Sequence, residues 1–199
     1  MLEEILEAQA QETPVKHRTF ESVTLTGASL ADLEFESVQF LHCRFLGCDF
    51  SGAAFDRCRF SGCTFPESRF PETIWRSAAW EGCRADGCDF THSRWKAFRL
   101  SSCSFCFSNW AQSVWNGGAV AGCSLKSARL AQARWNHLEL SDTDFTEADF
   151  FRTPLRGIDF SSCVIERIAA SETLEEFRGA VINPMQAADL VVLLGIQIL

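Results

Sequence analysis

Every fifth residue of this chain, from position 20 to position 165, is apolar. These thirty positions hold only Phe, Trp, Leu, Val, Ile and one alanine, Ala85; no charge, amide, Gly or Pro falls among them. Two residues before each of them the side chain is mostly small, as at Ala28, Cys43, Cys48, Ala53, Cys58, Cys63, Ser68 and Thr73. The other three positions of each unit are mostly polar or charged. A period of five matches neither a helix at 3.6 nor a strand at 2. Thirty units in phase predict a repeat architecture, built by stacking one short unit many times.

The unit reads x-[small]-x-[F/L/W]-x, as in Gly47-Cys48-Asp49-Phe50-Ser51, Gly87-Cys88-Asp89-Phe90-Thr91 and Glu147-Ala148-Asp149-Phe150-Phe151. In this the chain resembles the pentapeptide-repeat family over residues 20–165. The resemblance implies an all-β fold, a right-handed quadrilateral β-helix, in which one unit makes one side and four units make one coil. The central and small side chains then point inward and the other three face water. Coils stacked at ~4.8 Å would give about seven turns and a rod of about 35 Å.

Residues twenty apart should then stack in columns. Trp75, Trp95, Trp115 and Trp135 fall in one unbroken inner column, and Cys43, Cys63, Cys83, Cys103 and Cys123 in another, resumed at Cys163. Bulk compensates along the columns, as a close-packed interior requires. Phe98, the largest residue at a small position, has Ala78 and Gly118 one coil away, and Ala85 shares its coil with Trp75 and Trp80. All six tryptophans have Ser, Thr or Ala two residues earlier. A Ser or Thr there can accept the indole N–H, which needs a partner when buried.

The chain's 199 residues are enough for a single domain, expected to comprise an N-terminal cap helix (1–14), regular coils (20–165), a polar insertion and last partial coil (166–182), and a C-terminal helix and strand (183–199). No apolar run reaches the length of a membrane span, and the acidic start lacks the basic region of a signal peptide. Nine of the ten cysteines sit at the small inward position, where Cys acts as a small hydrophobe. Buried reduced thiols are therefore expected, and with them a cytoplasmic location. Cys103-Ser-Phe-Cys106 is the one C-x-x-C and has no partner pair, so no metal site or other cofactor is expected; Cys106 is the thiol expected near the surface. His17, His42, His92 and His137 are scattered, and no nucleophile elbow, Walker loop or zinc-protease motif is present, so no enzyme is expected.

At the N-terminus Leu2, Ile5 and Leu6 share one helix face with Ala10 at its margin, a cap stopped near Pro14. At the other end the five-period fails after Ile165. Residues 166–176 read as a polar insertion, and Phe177 to Ile182 as a last partial coil. Asn183 is a plausible N-cap, Pro184 stands at the first helical position, Gly195 is a stop, and residues 196–199 read as a terminal strand. This helix is apolar almost all round, which predicts burial on both sides, one against the core and one against a second copy. Met185, Ala188, Leu190, Val191, Val192, Leu194, Ile196 and Ile198 are the expected homodimer contacts.

The segment from Asn183 to Ile198 resembles the C-terminal dimerisation helix and strand of the quinolone-resistance (Qnr) and albicidin-resistance branch of the family. Cys83-Arg-Ala-Asp-Gly-Cys-Asp-Phe90 resembles a Qnr segment as well. That branch implies an acidic, DNA-mimicking homodimer that binds the type II topoisomerases DNA gyrase and topoisomerase IV and moderates their poisoning, with no direct contact to nucleic acid or membrane. Loops that interrupt the coil in Qnr proteins have no counterpart between residues 20 and 165, so binding without drug protection is also expected.

Net charge is −6 over residues 1–43, +5 over 44–138 and −7 over 139–199. Glu139, Asp142, Asp144, Glu147, Asp149 and Asp159 lie near the expected dimer joint and form a candidate acidic band for a phosphate-binding saddle. The competing reading makes them ordinary solvated side positions. A second function class is a rigid scaffold for another protein partner, using the wall around Arg57, Arg59, Arg69, Arg76, Arg84, Arg94, Arg99 and Arg134.

Overall fold

The five-residue period is realised as a coil that returns to the same side every twenty residues. Parallel ladders pair Phe35 with Phe55, Phe55 with Trp75, Trp75 with Trp95, Trp95 with Trp115 and Trp115 with Trp135 on the first side. The second side runs through Phe20, Phe40, Phe60, Trp80, Leu100, Val120 and Leu140. The third and fourth are laddered by bridges such as Arg44 to Thr64 and Asp49 to Arg69. The computed structural model describes residues 2–197, without the side chains of Leu2, Leu6 and Gln9. The fold is a right-handed quadrilateral β-helix with a helix α1 (Leu2–Gln11) at its start and α2 (Pro184–Leu193) at its end.

The corners turn the same way through most of the rod. The residue two after each central position has a left-handed φ at every step from Glu12 to Gly157, between 47° and 80°. After the third and fourth sides most corners are closed turns, as where Ala53 N–H donates to Phe50 C=O at 3.0 Å and Ala148 N–H to Phe145 C=O at 2.9 Å. Between the first and second sides the chain stays extended through the corner, giving the eight-residue strands Arg94–Ser101, Val114–Ala121 and Arg134–Ser141.

The core is a bundle of stacked rings. Phe50, Phe70, Phe90 and Trp110 stack at 4.5, 4.9 and 4.1 Å, and Phe35, Phe55, Trp75 and Trp95 at 5.0, 4.1 and 4.4 Å. The tryptophan column keeps its backbone register, but its ring stack changes at Phe98, which stands edge-on 5.5 Å from Trp95 and 5.5 Å from Trp115. Face-to-face stacking resumes at Trp115 and Trp135. Trp80 fills the space beside Ala85, touching Phe65 at 4.8 Å and Phe105 at 5.8 Å.

The small positions also carry polar work. The Cys43, Cys58 and Cys63 thiols and the Ser68 hydroxyl donate to the C=O of Phe20, Phe35, Phe40 and Phe45, each twenty-three residues back. All ten cysteines are free thiols, with Cys106 alone half-buried. Burial pushes the Cys58 thiol up to about 11 and that of Cys88 to about 12, so neither ionises near neutrality. Trp75, Trp95 and Trp110 donate their indole N–H to Thr73, Ser93 and Ser108 at 2.8, 3.0 and 2.7 Å. Trp80 and Trp135, with Ala two residues earlier, find no partner among the described residues. Trp115 and Ser113 also miss each other, so the expected pairing holds for three tryptophans.

The ends depart furthest from the sequence reading. Ile5 and Ala8 of α1 are buried against the first coil and Ala10 is exposed. At the C-terminal side the coil does not fail at Ile165, since Asp149 bridges Ala169 in regular register and Ile168 is buried. Asp159 then bridges Val181, so only two residues are added to the twenty-residue step. Glu176 closes this wider turn, its carboxylate accepting from the Arg152 N–H at 2.8 Å and the Ser171 hydroxyl at 2.7 Å. Burial pushes this carboxyl up, but the bonds from Ser171 and Arg152 outweigh it and hold it below the usual range. The polar run is therefore a pinned turn.

Candidate functional site

The acidic residues near the C-terminal end do not form one band on one side. Glu139 lies on the second side and Asp159 one coil beyond it. Asp144 lies on the third side and Asp149 on the fourth, with Asp142 and Glu147 at the corners between. The six carboxylates make a collar around three sides and leave the first side without an acid at this level.

The repeat positions these groups and also uses some of them. An Asp just before a central residue reaches across it to the N–H two residues on, an Asx-type cap of the corner. Asp144 accepts in this way from Thr146 at 2.9 Å, Asp149 from Phe151 at 2.9 Å and Asp159 from Ser161 at 2.8 Å. Asp49, Asp89 and Asn109 do the same far from the collar, on the N–H groups of Ser51, Thr91 and Ala111. Three collar residues therefore hold turns whatever else they do. The Ser161 hydroxyl and N–H keep the Asp159 carboxyl below its ordinary range. At Asp144 burial pushes upward, but Thr146 and Lys126 outweigh it and the group is again lowered.

Two members are partly neutralised within the chain. Asp144 pairs with Lys126 at 3.1 Å, and Glu147 with Arg167 at 3.2 Å. Glu139, Asp142, Asp149 and Asp159 make no ion pair among the described residues. These four are the carboxylates of the collar whose charge no partner within the described residues offsets.

Helix α2 sits on the end of the rod beside the collar. Asn183 caps it, accepting from the N–H groups of Met185 and Gln186 at 2.9 and 3.0 Å, and the Gln186 side chain accepts in return from the Asn183 N–H at 2.8 Å. Gln186 also anchors the helix, donating to the Phe160 and Cys163 C=O groups at 2.8 and 2.6 Å. A buried amide thus shares the capping that the sequence reading gave to an apolar face alone. Leu190 is buried against its own core and is not an outward contact. Met185 is 83 % exposed, and Val192, Leu193, Leu194, Ile196 and Val181 are also exposed, while Ala188 and Val191 are half-buried. Ile196 and Gln197 form no strand, and Ile198 lies outside the described residues. Val181 and Leu193 were not among the expected contacts. A wheel centred on Met185 would have pointed to Leu193, eight residues on, but not to Val181, which precedes the helix.

Residues 34–74 match the family described as pentapeptide repeats, in nine copies, and residues 123–161 match pentapeptide repeats again, in eight copies. Pentapeptide repeats therefore make up these two stretches of the coil. No curated protein matches it. Among solved structures, the pentapeptide-repeat protein Rfr23 from the cyanobacterium Cyanothece 51142 is 10 % identical, covering 72 % of this chain and 98 % of its own, at a TM-score of 0.50. Full-length QnrB1, a plasmid-mediated fluoroquinolone resistance protein, is 18 % identical over 89 % of this chain and 100 % of its own, at 0.48. HetL from Nostoc sp. strain PCC 7120, described as involved in heterocyst differentiation regulation, is 14 % identical over 90 % and 91 %, at 0.37. Likeness at these identities is one of fold.

Along this rod the arginine wall breaks up. Arg57 pairs with Glu36 and Asp56, Arg69 with Asp49, and Arg84 lies 3.8 Å from Asp86. Arg59 and Arg99 are on the second side, and Arg76, Arg94 and Arg134 on the first. No catalytic family is indicated. Among the described residues no three His, Cys, Asp or Glu side chains come together as metal ligands, and no helix is long and apolar enough to cross a membrane.

Proposed function

We propose that this pentapeptide-repeat protein is a non-enzymatic DNA mimic that binds a type II topoisomerase, DNA gyrase or topoisomerase IV, and modulates its inhibition by quinolones or similar poisons. The observation that carries the reading is the adjacency of the acidic collar to the exposed apolar surface of α2. Pairing that surface with the same surface of a second copy joins two collars into one central belt of negative charge. A phosphate-binding saddle meets there a rigid acid array whose field adds over both copies. The resemblance of residues 83–90 and 183–198 to the Qnr branch supports the same reading. The protein acts in this scheme in the cytoplasm, where its thiols stay reduced.

The test is gyrase supercoiling with the purified protein titrated in, with and without a fluoroquinolone. The expected result is reduced supercoiling or fewer drug-stabilised breaks. Asp144→Asn with Asp149→Asn removes two charges and keeps the turn acceptors, as Asn109 shows. This variant should weaken the effect measurably, because Asp149 is one of the four unpaired carboxylates, while its melting curve stays close to that of the wild type. No effect of the wild-type protein at micromolar concentration overturns gyrase as the partner.

A further inference from the structure

The first side of the rod carries a run of four cations, the first of which, Arg76, is in register with Asp56, a carboxylate that itself pairs with Arg57. Arg76, Arg94, Lys96 and Arg134 all point outward from it and are exposed. None of the four makes an ion pair or side-chain hydrogen bond among the described residues. The other exposed polar groups between them, Asn116 and Asn136, are neutral. A groove of about 290 Å³ runs along one edge of this side, where His92, Gln112 and Gln132 at successive corners face Arg94 and Arg134.

We infer that this side docks a short acidic segment of another protein in extended conformation. Arginine takes carboxylates in bidentate pairs, and the flat parallel sheet beneath holds the four cations in a fixed array. The amide column supplies both donors and acceptors, which suits the N–H and C=O groups of a peptide backbone. Three coil steps separate Trp75 from Trp135, about 14 Å at the interstrand spacing, or the length of about four extended residues. A single strand of nucleic acid needs exposed aromatic rings on which its bases stack. The first side offers none between these cations, because Trp75, Trp95, Trp115 and Trp135 are all buried. The acidic collar occupies the other three sides, so the two surfaces bind separately.

The experiment titrates the full chain into a fluorescein-labelled (Glu-Thr)4 peptide and, separately, a labelled thymidine pentanucleotide of equal charge, followed by anisotropy. The peptide is expected to bind at low ionic strength and to weaken as salt is raised. Arg94→Glu with Arg134→Glu is expected to weaken it about tenfold or more. Arg94→Gln with Arg134→Gln gives a smaller loss in the same direction, and an unchanged circular dichroism melt excludes misfolding as its cause. Asp144→Asn with Asp149→Asn leaves peptide binding intact, so failure of the topoisomerase reading does not touch this one. Absence of peptide binding, or equal binding by the Arg94→Glu, Arg134→Glu variant, overturns the proposal. Tighter binding of the pentanucleotide than of the peptide also overturns it and assigns the side to nucleic acid.

Discussion

The ring of Phe98 occupies the place where a β-carbon on Gly118 would stand. A Cβ built there lies 2.6 Å from Cδ1 and 2.7 Å from Cζ of that ring. The two residues are register partners on adjacent coils. Gly118→Ala must push Phe98 into Trp95 or Trp115, and overpacking of this kind costs about 1–3 kcal/mol. Guanidinium unfolding should show that loss, and Phe98→Ala with Gly118→Ala should show a smaller penalty than the sum of the two single changes. Simple additivity would mean the ring has room to move.

The corners predict a gain. Ala97 has a φ of 52° and is exposed, where most of the other corners carry polar residues or Gly. A non-glycine residue in this region costs about 1–2 kcal/mol, and glycine loses about 0.5–1 kcal/mol in chain entropy. Ala97→Gly is therefore expected to raise stability by about 0.5–1 kcal/mol, read as a higher midpoint in denaturant. Gly87→Ala, at a φ of 69° with open space around it, should move it the other way.

Much of this was legible in the sequence because contacts in a coil are linear in residue number. Trp75 under Trp95 and Phe98 over Gly118 follow from counting twenty. What counting cannot supply is ring orientation. The stack breaks at Phe98 because an oversized side chain at a small position enters edge-on, and Trp115 lacks its Ser113 partner one coil on. The ends were least legible because they have no period. Ala8 replaced Ala10, Gln186 joined the apolar anchor, and Leu190 supplies that anchor instead of facing outward. The collar's composition could be read directly, but its division over three sides and the corner-capping work of Asp144, Asp149 and Asp159 needed the coil.

Acid should weaken the rod in a defined window. Asp49 is held at about 2, against an ordinary 3.8, first by its hydrogen bond from Arg69. A depressed carboxylate contributes stability that is complete above its unfolded value and lost as pH falls through the folded one. The loss therefore runs from near pH 4 down to near pH 2, and Glu176, also lowered, adds to it. Because Arg69 is well exposed, screening keeps the pair's share small. Melting temperatures of wild type and Arg69→Ala should differ at neutral pH and converge toward pH 2; a constant difference would mean Arg69 acts by packing.

The apolar end predicts a concentration-dependent dimer. Met185→Glu with Val192→Glu places charge on the exposed side of α2 without touching Leu190 or Gln186. Sedimentation velocity should then show a monomer where the wild type shows a dimer. A wild-type monomer at all concentrations would remove the doubled belt from the proposed function.

The twenty-residue step gives the rod an angular address as well as a length. Removing one whole coil would shorten it by about 4.8 Å and leave every downstream side chain facing its former direction. Removing five residues would instead rotate everything beyond the cut by a quarter turn. The unpaired cations of the first side and the collar would then no longer be separated around the axis. The two extra residues before Val181 fall after the last regular bridge, at Ala169, so they turn only the end cap. Variation in this chain is thus quantised, with whole coils setting reach and single units setting bearing.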